Sequence, residues 1–305
     1  MKDIVPLERS SPMPAVVKAL RIPHWIKNVL LVVPLVVAHE WHQLEAVAVL
    51  TLAIFCFCMV ASSGYVVNDL LDREADRFHP TKHKRPFARG DLRLRHGILL
   101  ALVLFVTGLC LALAFLPRHV TYLLLAYLLI SLLYSTYCKH RIVLDVITLA
   151  GLYTIRIFAG GASVGITVSA WLLAFSMFLF LSLAFSKRYT ELAMPGTVEK
   201  GATNFRPYKT RDLEVFRSVG PASGLLSVLV LAFYVNSEAV RVLYTTPEAL
   251  WLLCPLLLYW ILRIWFLTVR GETDFDPVVL ALRDPTSYMI GMAASLVFLF
   301  ASLYR

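Results

Sequence analysis

The stretch Asn68-Asp69-Leu70-Leu71-Asp72-Arg73-Glu74-Ala75-Asp76 puts three aspartates at the end of a long hydrophobic run. At about 100° per residue on a helix, Asp69, Asp72 and Asp76 fall within roughly 60° of arc, with Asn68 a little further round. Carboxylates this close repel one another unless cations sit between them. Oxygen-only donors at a water–membrane boundary suit Mg²⁺, which commonly binds one or two carboxylates and completes its shell with substrate phosphates. Asp69, Asp72, Asp76 and Asn68 are therefore the expected metal ligands, and the chemistry they point to is the handling of a diphosphate. A cationic stretch, Lys82-His83-Lys84-Arg85-Pro86, follows within ten residues, so Lys84 or Arg85 can neutralise the remaining phosphate charge. The plainer alternative is a solvated helix extension in which Arg73 and Arg77 pair the acids. The spacing argues against it, because it clusters the acids instead of alternating signs.

Further residues gather at the ends of other hydrophobic runs. In Ser186-Lys187-Arg188-Tyr189-Thr190-Glu191, Lys187 and Glu191 share a helix face with Arg188 beside it. Two cations there can hold a phosphate, although basic residues also simply stop membrane helices and favour the C-terminal end of the helix dipole. Asp145, Leu149, Leu152 and Arg156 form one helical stripe, and an arginine that deep in an apolar run is costly. Arg156 is expected to line the active cavity; the alternative is a structural partner of an acid or carbonyl within the membrane. Gly160-Gly161, one turn deeper, permit close helix packing or a bend. Tyr134-Ser135 and Lys139-His140 can add phosphate donors, or belong at the interface as Tyr and Lys commonly do. Lys27 and Asn28, in Pro23-His24-Trp25-Ile26-Lys27-Asn28, read as interface anchors or as substrate contacts. Arg263 reads as a snorkelling side chain, and the Asp274-Phe275-Asp276-Pro277 loop has no specific chemical account.

These groups must be positioned by membrane helices. The chain has 305 residues, 59% hydrophobic and 16% charged, with mean hydropathy +0.72, whereas a soluble domain carries about 25% charged residues. Windows of about 20 apolar residues give nine spans, near 22–39, 44–67, 97–116, 119–136, 143–164, 168–186, 219–237, 247–269 and 286–304. The first is the weakest, since Pro23 and Pro34 shorten its core, and a re-entrant segment is the alternative there. It is expected to act as an uncleaved insertion signal. The fold class is thus all-α: a polytopic membrane protein of about nine helices around a central, cytoplasm-facing cavity. Of 29 Lys and Arg, 24 fall in alternate segments starting from the N-terminal one, Lys27 included, and only Arg118, Arg241 and Arg305 in the others. That asymmetry predicts the N-terminus inside and the C-terminus outside. It also puts both long loops, about 68–96 and 187–218, in the cytoplasm. Nucleic-acid binding is excluded, because the basic loops interleave with spans and carry no recognition motif. Five cysteines without metal spacing read as small buried hydrophobes.

Asn68-Asp69-xx-Asp72-xxx-Asp76 resembles the first Asp-rich motif, NDxxDxxxD, of the UbiA superfamily of intramembrane prenyltransferases. The resemblance extends over residues 22–305 as one catalytic domain, after a cytoplasmic segment at 1–21. Within the superfamily the chain looks most like decaprenyl-phosphate phosphoribosyltransferases, through Trp25-Ile26-Lys27-Asn28, Lys84-Arg85-Pro86, Arg156-Ile157-Phe158-Ala159-Gly160-Gly161 and Lys187-Arg188-Tyr189-Thr190-Glu191. Members that alkylate aromatic rings carry a second DxxxD motif after span six, where this chain reads Lys187-Arg188-xx-Glu191. The resemblance implies transfer of 5-phosphoribose from phosphoribosyl diphosphate to a polyprenyl phosphate, with Mg²⁺ and release of pyrophosphate. It implies catalytic roles for Asp69, Asp72, Asp76 and Arg156. Substrate contacts would come from Lys27, Asn28, Asn68, Lys84, Arg85, Tyr134, Lys139, Lys187, Arg188 and Glu191. The alternative joins a prenyl diphosphate to an aromatic or other small acceptor. The expected setting is a bacterial inner membrane, with membrane lipids as partners and a homo-oligomer possible.

Overall fold

A backbone surrounded by hydrocarbon must satisfy its own N–H and C=O groups, so long apolar runs of this kind cross lipid as helices. The computed structural model describes residues 12–78, 82–193, 207–272 and 284–302, and every regular element among them is helical. Nine segments among the described residues are long and apolar enough to cross a membrane. They are Ala15–Val37, Leu44–Leu71, Leu94–Phe115, Arg118–His140, Leu144–Ser163, Ala170–Ala193, Thr210–Val235, Pro247–Arg270 and Pro285–Ser302, here spans 1 to 9. Their outward faces carry large apolar side chains such as Leu99, Leu102, Val103 and Val106 on span 3 and Met289, Met292 and Leu296 on span 9. Bands of this kind are a liability in water and the ordinary finish in lipid. The chain is an integral membrane protein.

Span 1 begins at Ala15, earlier than the expected residue 22, and is not one regular helix. An α-helix of about two and a half turns, Pro12–Leu20, ends at Arg21, whose backbone is left-handed (φ 52°). A 3₁₀ stretch, Ile22–Val32, follows, and α-helix resumes at Val33–Val37. Pro23 and Pro34 lack the N–H groups that regular α-helix would use, and runs of 3₁₀ this long are uncommon. The irregular stretch is held from outside. Span 5 lies against it so closely that a Cβ on Gly160 would collide with the Leu31 carbonyl, and one on Gly161 would press on Val168 and the Ile166 carbonyl. The glycine pair thus does what its small size allows, which is close packing.

Span 2 packs on spans 3 and 4, and from span 4 to span 9 each packs on the next, while span 1 sits against spans 2 and 5. Lys139 at the end of span 4 pairs with Asp72 at the end of span 2, and Arg188 near the end of span 6 bonds Tyr134 of span 4. The acidic loop after span 2 and the basic end of span 6 therefore share one end of the bundle. At the other end, His39 bonds Ser302 Oγ at 3.0 Å and joins the end of span 1 to the end of span 9. Buried polar side chains from spans 1, 2, 4, 5 and 6 meet inside this frame.

Candidate active site

Span 2 ends at Leu71, with Asp72 as its C-cap, and the chain restarts as the short helix Arg73–Phe78. The expected single helical face through Asp76 is therefore interrupted at Asp72, and the three acids turn to different partners. Asp69, 2% exposed, accepts from Arg21 Nε at 3.3 Å and is also paired with Arg21 Nη2. Arg85 Nη1 lies 3.1 Å from Asp69 and 2.6 Å from Asp76, so two carboxylates converge on one nitrogen. Asp72 pairs instead with Lys139 Nζ at 2.6 Å and accepts from the Asn68 amide at 3.1 Å. Burial pushes the Asp76 carboxyl above the usual carboxylate range, against the opposing pull of Arg85 and Lys82.

The cations arrive from three elements. Arg21 is fixed by Ser62, which accepts from the Trp25 indole at 2.8 Å and donates to the Leu20 carbonyl at 2.8 Å, clamping the chain on both sides of the left-handed residue. Arg85 precedes the helix Pro86–Arg89, which begins on a proline and stops at Gly90 in a left-handed turn (φ 87°). Arg77 reaches back to the Ala88 carbonyl at 3.3 Å and closes the loop. Lys139 sits in the 3₁₀ turn Cys138–His140 that ends span 4 and is buried; Lys84 is exposed.

A second polar centre lies between spans 4, 5 and 6. Arg188, only 2% exposed, donates to Asp145 from Nε (2.5 Å) and Nη2 (3.0 Å), to Tyr134 OH at 2.6 Å, and to Glu191. Tyr134 also donates to Asp145 at 3.0 Å. This corrects the expectation that Arg188 captures a phosphate with Tyr134 and Glu191 beside it, because its donors are committed within the protein. Asp145, read from the sequence only as a member of one helical stripe with Arg156, is buried against Arg188. Lys187, one residue away, is half-buried at the same helix end.

Arg156 forms the third centre. It is 3% exposed, donates from Nε to Asn28 Oδ1 at 2.8 Å and from Nη2 to Tyr127 OH at 2.7 Å, and also bonds the Leu152 carbonyl. Its guanidinium lies 4.6 Å from the Tyr127 ring centroid, and Lys27 is buried with its Nζ 5.5 Å from the ring of Tyr153. Arg156 therefore holds span 5 to spans 1 and 4 and does not face an open cavity as expected. The structural alternative describes it better, with an amide, a phenol and a carbonyl as partners. Arg263 is also corrected: it does not snorkel but grips Asp284 at 2.6 and 2.9 Å, tying span 8 to the start of span 9. Asp274 and Asp276 lie outside the described residues.

Toward the opposite end of the bundle is a cavity of about 450 Å³ walled by spans 1, 6, 7, 8 and 9. Its lining includes Val37, Trp171, Phe175, Leu257, Gly291 and Phe298 and is almost wholly apolar. Its inner wall is shared with the contacts of the Tyr153 and Phe180 cluster, through Leu172 and Trp260.

Among the described residues no three acidic, histidine or cysteine side chains stand close enough to cage a metal alone. The donor set nevertheless fits a hard cation. Asp69 and Asp76 already converge on a cationic nitrogen, the donors are all oxygen, and the remaining positions are left to phosphate and water, as Mg²⁺ prefers.

The polytopic helical bundle carries an acid–base centre at one end and an apolar cavity toward the other. The profile of the UbiA prenyltransferase family matches residues 29–279, and the chain belongs to that family, a family of transferases. It is 35% identical over 295 residues to protein y4nM of Sinorhizobium fredii, covering 96% of this chain but 57% of that longer protein. It is also 35% identical over 289 residues to the nodulation protein NoeC of Azorhizobium caulinodans, covering 92% of each. Decaprenyl-phosphate phosphoribosyltransferase of Mycobacterium tuberculosis is 35% identical over 195 residues, 63% of this chain and 64% of that protein. The fold matches a UbiA homologue from Archaeoglobus fulgidus bound to GPP and Mg²⁺, with TM-score 0.68 at 17% identity, over 94% of this chain and 98% of that one.

Arg21 is the residue that sequence reasoning missed. The signal was available: an arginine immediately before Ile22-Pro23, where helix must break, and close to the water boundary.

Proposed function

We propose that the chain transfers 5-phosphoribose from phosphoribosyl diphosphate to a polyprenyl phosphate and releases pyrophosphate. The observation that carries this reading is the make-up of the basic end of span 6. Arg188 is buried there against Asp145, and the sequence at that place reads Lys187-Arg188-xx-Glu191, without paired aspartates. A single acid centre suits a sugar donor that brings the diphosphate, with a lipid that brings only one phosphate. The similarity to decaprenyl-phosphate phosphoribosyltransferase over 63% of the chain supports the same choice.

In this reading Asp69, Asp72 and Asp76, with Asn68, hold Mg²⁺ on the donor diphosphate. The metal stabilises charge developing on the leaving pyrophosphate. Lys84 and Arg85 contact donor phosphates. Arg188 drops out as a contact to the acceptor phosphate, and Lys187 stays. The acceptor phosphate is already anionic at pH 7, so no strong general base is needed for its oxygen to attack C1 of the ribose. The apolar cavity, walled by spans 1 and 6 to 9, takes a more distant part of the isoprenoid. The excess of Lys and Arg in the acidic-loop end supports a cytoplasmic active site in a bacterial inner membrane.

The test is incubation of purified protein with labelled phosphoribosyl diphosphate and polyprenyl phosphate. Labelled lipid is the expected product. Turnover of a prenyl diphosphate with a small acceptor, and no labelled lipid, would replace this reading with the alternative.

A further inference from the structure

Each acid of the first centre is already neutralised by a cation of this chain, and the three cations come from three separate elements. Arg21 enters from the break in span 1, Arg85 from the loop after span 2, and Lys139 from the turn that ends span 4. Arg21 does so from a left-handed backbone, a conformation that a non-glycine residue keeps only where its surroundings over-determine it. The Ser62 clamp and the Tyr65 ring, 5.4 Å from its guanidinium, supply that constraint. Such an outlier beside a reactive centre points to function. The centre is open on one side, where Arg21 and Arg85 are 18% and 22% exposed and Asp72 is 26% exposed, while Lys139, Asp69 and Asp76 are buried.

A divalent ion entering alone would have to displace these cations from the carboxylates and then remain among three positive charges. A diphosphate arriving with it reverses that balance, because its oxygens can receive the displaced guanidinium and ammonium groups. We propose that Arg21, Arg85 and Lys139 are exchange cations. They hold Asp69, Asp72 and Asp76 while the metal is absent, and pass to the diphosphate when the acids take the metal. The site then binds metal alone weakly and metal with diphosphate as a coupled pair. Pyrophosphate is a product whether the donor is a phosphoribosyl or a prenyl diphosphate, so this proposal survives a failure of the donor assignment.

The experiment measures two ligands separately on the full-length protein in detergent: Mn²⁺ alone, by the loss of its free-ion electron-spin signal, and pyrophosphate alone, by calorimetry. Exchange predicts opposite signs for the two ligands. Arg21→Gln should bind Mn²⁺ roughly fivefold or more tightly than the native chain, the lower end of ordinary coupling strengths, and bind pyrophosphate more weakly. Arg21→Lys, which keeps the charge, should keep the weak metal binding. If Arg21→Gln does not fold, Lys139→Gln carries the same prediction from a different element. Unchanged or weakened Mn²⁺ binding in folded variants would mean that these cations only brace the acids, and would overturn the proposal.

Discussion

The charged residues divide into those that face ligands and those that brace helices, and charge type alone does not separate them. In the proposed reading Asp72 belongs to the first kind: it is half-buried and bonded to Asn68 and Lys139. Asp72→Asn should abolish metal-dependent turnover while leaving the thermal midpoint in detergent within a few degrees of native. Full activity in that variant would remove Asp72 from the metal site. Arg188 is of the second kind. Arg188→Gln leaves the Asp145 carboxylate buried without its counter-ion, a defect worth about 3–5 kcal/mol. The variant should melt far lower, or fail to accumulate, instead of showing only a raised KM. Replacing both partners, Arg188→Met with Asp145→Leu, should recover most of that stability, since apolar pairs of similar volume often match a buried ion pair. A normal melt for Arg188→Gln alone would contradict this. The acids of span 2 were legible because their spacing repeats within one helix. The Arg188–Asp145 pair was not, because its partners lie on different spans and only packing brings them together. The same blindness misplaced Arg156, whose donors reach Asn28 on span 1 and Tyr127 on span 4.

At the level of elements, hydropathy located all nine spans within several residues of their observed ends, since lipid thickness sets the length of an apolar run. It did not foresee the 3₁₀ stretch Ile22–Val32, which depends on outside support from Ser62 and from the glycine face of span 5. Nor did it foresee how span 9 is anchored. Asp284 accepts the Ser287 N–H at 2.8 Å, capping the helix, while its two oxygens take the fork of Arg263. Burial alone would raise the Asp284 pKa, but the Arg263 and Ser287 hydrogen bonds outweigh it and hold the carboxyl below its usual 3.8. The stabilisation from this pair is therefore fully present above that ordinary value. It is lost as pH falls below it and through the depressed folded value. Asp284→Asn should cost about 2 kcal/mol at neutral pH, in the range for hydrogen bonds to charged groups. In melts taken from pH 6 down to pH 3, the gap between native and variant should close only at the acid end. A gap that stays constant over the whole range would show that the charge on Asp284 contributes nothing.

The whole molecule places a charged centre at one end and an apolar cavity toward the other, with the irregular span 1 passing both. Arg21 and Lys27 belong to its first half, while Val33 and Val37 line the cavity from its second. A lipid that carries its charge at one end and hydrocarbon along the rest matches that arrangement, and the enclosed volume of about 450 Å³ suits only a few isoprene units of a long chain, away from its phosphate. The remainder must leave between helices into the bilayer. Gly291, on the wall contributed by span 9, tests the idea with little structural cost, since a Cβ built there meets nothing within 4 Å. Gly291→Leu should fold with an unchanged thermal midpoint, because its side chain enters open space and not a packed core. It should narrow the cavity, raising KM several-fold for a long polyprenyl phosphate. Turnover with an acceptor too short to reach that wall should change little, and so should the response to metal, because the acid centre is untouched. Equal loss with short and long acceptors would indicate a general disturbance of the bundle, and no loss with either would place the isoprenoid somewhere other than this cavity.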